Sequence, residues 1–214
     1  MVQILLPLLK ITKNSNLKIN NNNIAYTTSM KKWTIVLIGF IIFAFCLAGY
    51  KTFLSITHPI KFKNEIELYS NEYGLNPAVV ASVINIESSY NQQAKSNKDA
   101  IGLMQIKLET ANYLNDLYLS PQLTEEELFK PSTNIKYGCM YLRYLLNKFQ
   151  NIDTTLCAYN AGETRVRSWL KSNYSLDGKT LNKIPFSETK NYLIKLKTNF
   201  KFYYIVSVFT FRKE

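Results

Sequence analysis

Residues Trp33 to Tyr50, "WTIVLIGFIIFAFCLAGY", form 18 positions without a charge. As a helix this run spans roughly 27 Å at 1.5 Å per residue, close to the ~30 Å hydrocarbon core of a bilayer. A helix buried in a protein core usually keeps a polar face, and this one has none. Trp33 and Tyr50 bracket the run as interfacial aromatics do, and Lys31 and Lys32 precede it. A cleaved signal peptide is the rival reading, with Cys46-Leu47-Ala48 as a small-x-small site. The run is long for such a segment, so the reading favoured is an uncleaved signal-anchor over 33–50. The rest of the chain is then extracytoplasmic, with the lysines keeping the N-terminus in the cytoplasm.

The anchor divides the chain. Residues 1–29 are polar and Asn-rich, without a sustained period, and Met30-Lys31-Lys32-Trp33 reads like a fresh translation start. We therefore expect 1–29 to be a non-structural extension, 51–63 a linker, 64–205 the working domain and 206–214 a tail. Charge follows the same division. Of 26 basic residues, five lie within 1–50, where there is no acid, so the remainder holds 21 basic against 15 acidic side chains. A mildly basic domain suits an anionic polymer: nucleic acid, lipid headgroups or cell wall. The membrane run and the lack of a nucleic-acid motif argue against nucleic acid.

Within the domain the pattern is helical. Asn76-Pro77 is a start signal, with Asn as cap and Pro at the first helical position. Val80, Val83, Ile84 and Glu87 then fall on one face. Thr124 and Glu127 have capping-box spacing, and Pro131 closes that segment. Ile135, Gly138, Leu142, Leu145, Leu146 and Phe149 make another stripe. Asp153 is the cap expected for "TTLCAYNAG", with Gly162 as its stop. "KFYYIVSVFTF" near the C-terminus suits either a strand or a terminal helix.

His58 is the one histidine, and Cys46, Cys139 and Cys157 lack metal-ligand spacing. Histidine-based zinc sites and Ser-His-Asp or Cys-His catalysis are thereby disfavoured, and no metal or cofactor is expected. Chemistry falls to carboxylates. Glu87 combines an apolar helix face with a helix C-terminus, and both disfavour the charged carboxylate. Its pKa should rise toward that of a general acid. Gly102-Leu103-Met104-Gln105-Ile106 follows a polar loop and offers close backbone approach, an adaptable apolar contact and an amide. "AYNAG" at 158–162 adds an aromatic and a second amide. Singly each is more often packing or capping.

Together, "IESSYN", "GLMQI", "NIKYGCMYLRYLLNKF", "AYNAG" and "IPFSETKNYL" resemble, in order and spacing, the SLT-type lytic transglycosylases, over about residues 64–205. Lys107 and Glu163 depart from the pattern, standing where that family often has proline. The resemblance implies a mainly α, lysozyme-like orthogonal helical domain with little β structure, cleaving peptidoglycan glycan strands. It implies Glu87 as the catalytic acid/base. It makes Ser88, Gly102, Met104, Gln105, Tyr159, Asn160 and Tyr192 substrate-binding residues, and Glu188 a structural tie between the last helices. Asp99 and Glu109 are the candidates for a second carboxylate, which ordinary glycosidases need. In the family mechanism the substrate's own N-acetyl and 6-hydroxyl groups replace that carboxylate, giving a 1,6-anhydro end. A hydrolytic muramidase and a non-catalytic wall-binding protein stay open as alternatives.

Overall fold

The computed structural model describes residues 32–53, 56 and 59–210. The extension 1–29 and the start at Met30 therefore lie outside the described residues. The chain divides into two units, one ending at Phe53 and the other starting at Leu54.

The first unit holds α1, Lys32–Phe53, 22 residues long and exposed along its whole length. It rises about 33 Å and is long and apolar enough to cross a membrane.

The second unit is a helical domain. Its elements are α2 (Lys63–Glu72), α3 (Pro77–Ser88), β1 (Ala100–Ile101), β2 (Ile106–Lys107), α4 (Leu108–Leu117), α5 (Glu125–Leu128), α6 (Pro131–Phe149), α7 (Ile152–Ala161), α8 (Glu163–Leu170) and α9 (Ser187–Thr210). Helix α3 is the central one. Ala78, Val80, Ala81, Val83 and Ile84 are all fully buried, which covers more of its surface than a single amphipathic stripe. Helix α9 packs along α3, α7 packs on α9, and α6 joins α2, α4, α5 and α7. Tyr203 of α9 is fully buried, its ring 6.4 Å from that of Tyr90 just past α3. "KFYYIVSVFTF" is thus helical through Thr210. A chain already running as a helix along α3 keeps its hydrogen bonds by continuing, which outweighs the β preference of Tyr, Ile and Val.

Local signals set most helix ends. The Asn76 side chain accepts from the Ala78 amide at 2.9 Å, with Pro77 first in the helix. Thr124 and Glu127 close a reciprocal capping box on α5. Pro131 does more than terminate that segment, because it is also the first residue of α6. Asp153 is not the cap of α7. Asn151 is, accepting from the Thr154 amide at 3.0 Å. Asp153 lies in the first turn and pairs with Lys197 of α9 at 2.5 Å.

Candidate active site

Helix α3 ends in a way that presents Glu87. Ser89 and Tyr90 both adopt left-handed backbone, at φ 51° and 63°. The chain turns sharply there and runs through a polar loop to the hairpin β1–β2. Pairing of Ala100 with Lys107 and of Ile101 with Ile106 leaves Gly102-Leu103-Met104-Gln105 as the connection. Gly102 sits at φ +73°, and a Cβ there would lie 2.4 Å from the Asn134 amide nitrogen. Glycine is needed for both the backbone angle and the approach.

Asn134 of α6, fully buried, clamps this hairpin. Its Oδ1 accepts from the Met104 amide at 2.7 Å. Its Nδ2 donates to the carbonyls of Ile101 and Leu128, both at 2.9 Å. Ser88 ties the hairpin to α3 by donating to the Leu103 carbonyl at 2.8 Å. Tyr159 of α7 donates to the Met104 carbonyl at 2.7 Å. The Met104 side chain is fully buried against Gly138, where a Cβ would meet its sulfur at 2.2 Å. Three helices therefore hold one four-residue turn.

Beside the turn lies a groove of about 710 Å³ whose walls include Glu87, Gln105, Tyr141, Tyr159, Asn160 and Glu188. Glu87 is half-buried, and desolvation pushes its pKa up to about 7. Tyr192 opposes part of that rise: its buried hydroxyl lies near the carboxyl, though no hydrogen bond of normal geometry closes there. The hydroxyls of Tyr159 and Tyr192 are raised well above the ordinary tyrosine range by burial and by the Glu87 charge, so both remain protonated donors.

Gln105 Nε2 donates to Gly102 O of its own turn at 3.0 Å and to Ala94 O in the loop before β1 at 3.3 Å. Its carboxamide oxygen is left as the group to accept from a ligand. Asn160 Oδ1 accepts from Thr189 at 2.8 Å, which fixes the amide and leaves its nitrogen to donate. Tyr141 packs on Tyr159 with centroids 5.5 Å apart, extending an apolar wall.

The site residues read from the sequence thus separate. Glu87, Gln105, Tyr159 and Asn160 line the groove. Ser88, Gly102, Met104 and Tyr192 lie off its walls, because each is engaged or buried in seating the turn or in packing against the acid. Asp99 and Glu109 also lie off the walls, whereas Glu188 lies on them. Thr189, next to Glu188 in sequence and nearly fully buried, ties α9 to α7 through Asn160, alongside the Asp153–Lys197 pair. Sequence reasoning also passed over Tyr141 and Asn134. Their pattern is that of ordinary helix residues, and only contacts 30 residues away distinguish Asn134. Among the described residues no cluster of His, Cys, Asp and Glu could hold a metal.

Comparison with known proteins identifies the family and the fold. The family model described as "Transglycosylase SLT domain" matches residues 64–182. The soluble lytic murein transglycosylase of Escherichia coli (strain K12) is 32% identical over 139 residues, covering 63% of this chain and 22% of that protein. This chain thus spans about a fifth of that relative's length. Membrane-bound lytic murein transglycosylase E of Buchnera aphidicola subsp. Baizongia pistaciae is 30% identical over 192 residues, covering 77% of this chain and 89% of that one. Among solved structures, an inactive glutamate-to-glutamine mutant of lytic transglycosylase Slt from Pseudomonas aeruginosa superposes with TM-score 0.63 at 28% identity, over 70% of this chain and 25% of the other. The helical, lysozyme-like fold class read from the sequence stands, with β1–β2 as its small β element.

Proposed function

This chain belongs to the SLT-domain transglycosylase family, and on that premise we propose that it is a membrane-anchored lytic transglycosylase. Its substrate is peptidoglycan, cut at the β-1,4 bond between N-acetylmuramic acid and N-acetylglucosamine. The observation that carries the reading is Glu87, a carboxyl held on a groove wall with its pKa at about 7. Such a group is protonated often enough near neutrality to act as an acid, and ionised easily enough to act next as a base.

Glu87 donates its proton to the glycosidic oxygen as the bond to the muramyl anomeric carbon breaks. The muramyl N-acetyl oxygen stabilises that carbon from the opposite face. Glu87, now a carboxylate, takes the proton of the same sugar's 6-hydroxyl. That oxygen closes on the anomeric carbon to give the 1,6-anhydro ring. One proton leaves Glu87 and one returns, and no water is consumed. Gln105, Tyr159 and Asn160 contact the glycan. Ser88, Gly102, Met104 and Tyr192 position those groups from behind the wall.

Glu188 supports a second reading, hydrolysis, because it is a further acid on the groove wall. Product mass separates the two: an anhydro-muramyl end weighs one water less than a reducing end. Glu87→Gln should retain the fold and lose about 10²–10⁴-fold in turnover of purified peptidoglycan. Wild-type rates in that variant would defeat the assignment of Glu87, whereas glycan bound by the wild-type protein without release of any fragment would favour a wall-binding protein. Helix α1 supports single-pass anchoring with the domain on the extracytoplasmic side, and the short linker confines cleavage to glycan near the membrane.

A further inference from the structure

The groove wall carries more positive charge than cutting a neutral sugar backbone requires. Lys98 from the loop before β1, Lys107 at the end of β2 and Arg165 in the first turn of α8 all line it together with Glu87. None of the three makes an ion pair with a protein acid among the described residues. They come from three separate elements, so the charge is not a by-product of one basic run. Arg165 is also fixed in place. It donates to the Ala161 carbonyl at 3.1 Å, and its guanidinium lies 5.1 Å from the centre of the Phe186 ring. Against these cations the groove sets only Glu188 and Glu87, the second of them half-protonated near neutrality.

Unpaired cations that outnumber the acids along the groove match a ligand with anionic substituents on a neutral backbone. Building on the glycan-cleaving reading above, we propose that Lys98, Lys107 and Arg165 read carboxylates on the substituents of the muramyl residues. The groove then selects strands whose stem peptides keep free carboxylates over strands in which those groups are masked. Arg165, planar and held, accepts a carboxylate in a set orientation, while the two lysines act as mobile point charges. These carboxylates take no part in bond breaking, so they are held equally in the ground and transition states. The preference belongs in KM and not in kcat.

The test compares one batch of purified, uncrosslinked peptidoglycan strands before and after carbodiimide-driven amidation of their carboxyl groups. The full chain in detergent is used, and KM and kcat are measured separately. Exposed ion pairs are individually weak, so amidation should raise KM about fivefold with kcat little changed. In the double variant Lys98→Gln/Lys107→Gln, circular dichroism should match wild type and the preference should shrink to below about twofold. Equal KM for both polymers in wild type would overturn the proposal, as would an undiminished preference in the double variant. If neither polymer is cut, the glycan-cleaving reading falls by itself. Calorimetric titration of the two polymers into Glu87→Gln protein then still decides whether free carboxylates are preferred: tighter binding of the unmodified polymer upholds the carboxylate-reading wall, and equal binding removes it.

Discussion

In the proposed mechanism Glu87 couples function to stability through one proton. Its pKa is raised from 4.5 to about 7 by burial, while the unfolded chain titrates near the ordinary value. Between those limits the folded state binds more protons than the unfolded state, so stability falls as pH rises through this window. Below pH 4.5 both states are protonated and Glu87 is neutral in effect; above pH 7 the whole penalty is present. Full conversion of the shift gives about 3 kcal/mol, and water reaching the groove makes the real figure smaller. Glu87→Gln removes the titration. Its melting temperature should therefore exceed that of wild type by a few degrees at pH 8, and the gap should close by pH 4.5. A constant gap across that range would show that burial does not hold the proton on Glu87. The same titration should appear in wild-type kcat/KM as a decline when pH rises through about 7, because the first step needs the acid form.

The hairpin turn Gly102–Gln105 shows what an element owes to distant partners. Asn134, Ser88 and Tyr159 satisfy three of its backbone groups from α6, α3 and α7. Replacing Asn134 by leucine removes the polar partner while retaining similar volume. It strands the Met104 amide and the Ile101 and Leu128 carbonyls in the interior. The loss should be about 3 kcal/mol, given ~1–3 kcal/mol per buried group left unsatisfied and partial relaxation. Urea unfolding measures it, and a change under about 0.5 kcal/mol would mean that the clamp is dispensable. This turn also marks the limit of what the sequence makes legible. Asn76-Pro77 and Thr124 with Glu127 could be read directly, since capping acts within three residues. The apolar face leading to Glu87 was legible from its period, and with it the raised pKa. The burial of Met104 was not, because an apolar residue in a turn can face a ligand or the core with the same local pattern. Gly138, one helix away, decides it. The Asn151 cap of α7 also acts within three residues and was locally readable; only the pairing of Asp153 with Lys197, 44 residues on, is invisible locally.

At the scale of the whole molecule, the proposed anchor and the proposed catalytic domain fall in separate units. The core of the second unit runs from Ile66 through Tyr203, and no residue of α1 is buried. An apolar helix of this length gains a great deal from lipid, at about 25 cal/mol per Å² of apolar surface removed from water. Deleting residues 1–58 should therefore leave a domain that folds, because the buried residues of its core, Ile66 through Tyr203, are all retained. The truncated protein should be soluble without detergent and melt within about 2 °C of the detergent-solubilised full chain. It should cleave soluble strands with kcat/KM within about twofold, since every groove residue is retained. The full chain should stay with membranes through alkaline carbonate extraction, and the truncated one should not. An insoluble or unfolded truncated protein would assign α1 a part in the domain's stability. A full chain released by carbonate would remove the anchor. If both outcomes are as expected, confinement at the membrane is a property of α1 alone. The domain's activity toward a given strand should then be the same with and without α1, and cleavage in the cell should be limited by position and not by a weak active site.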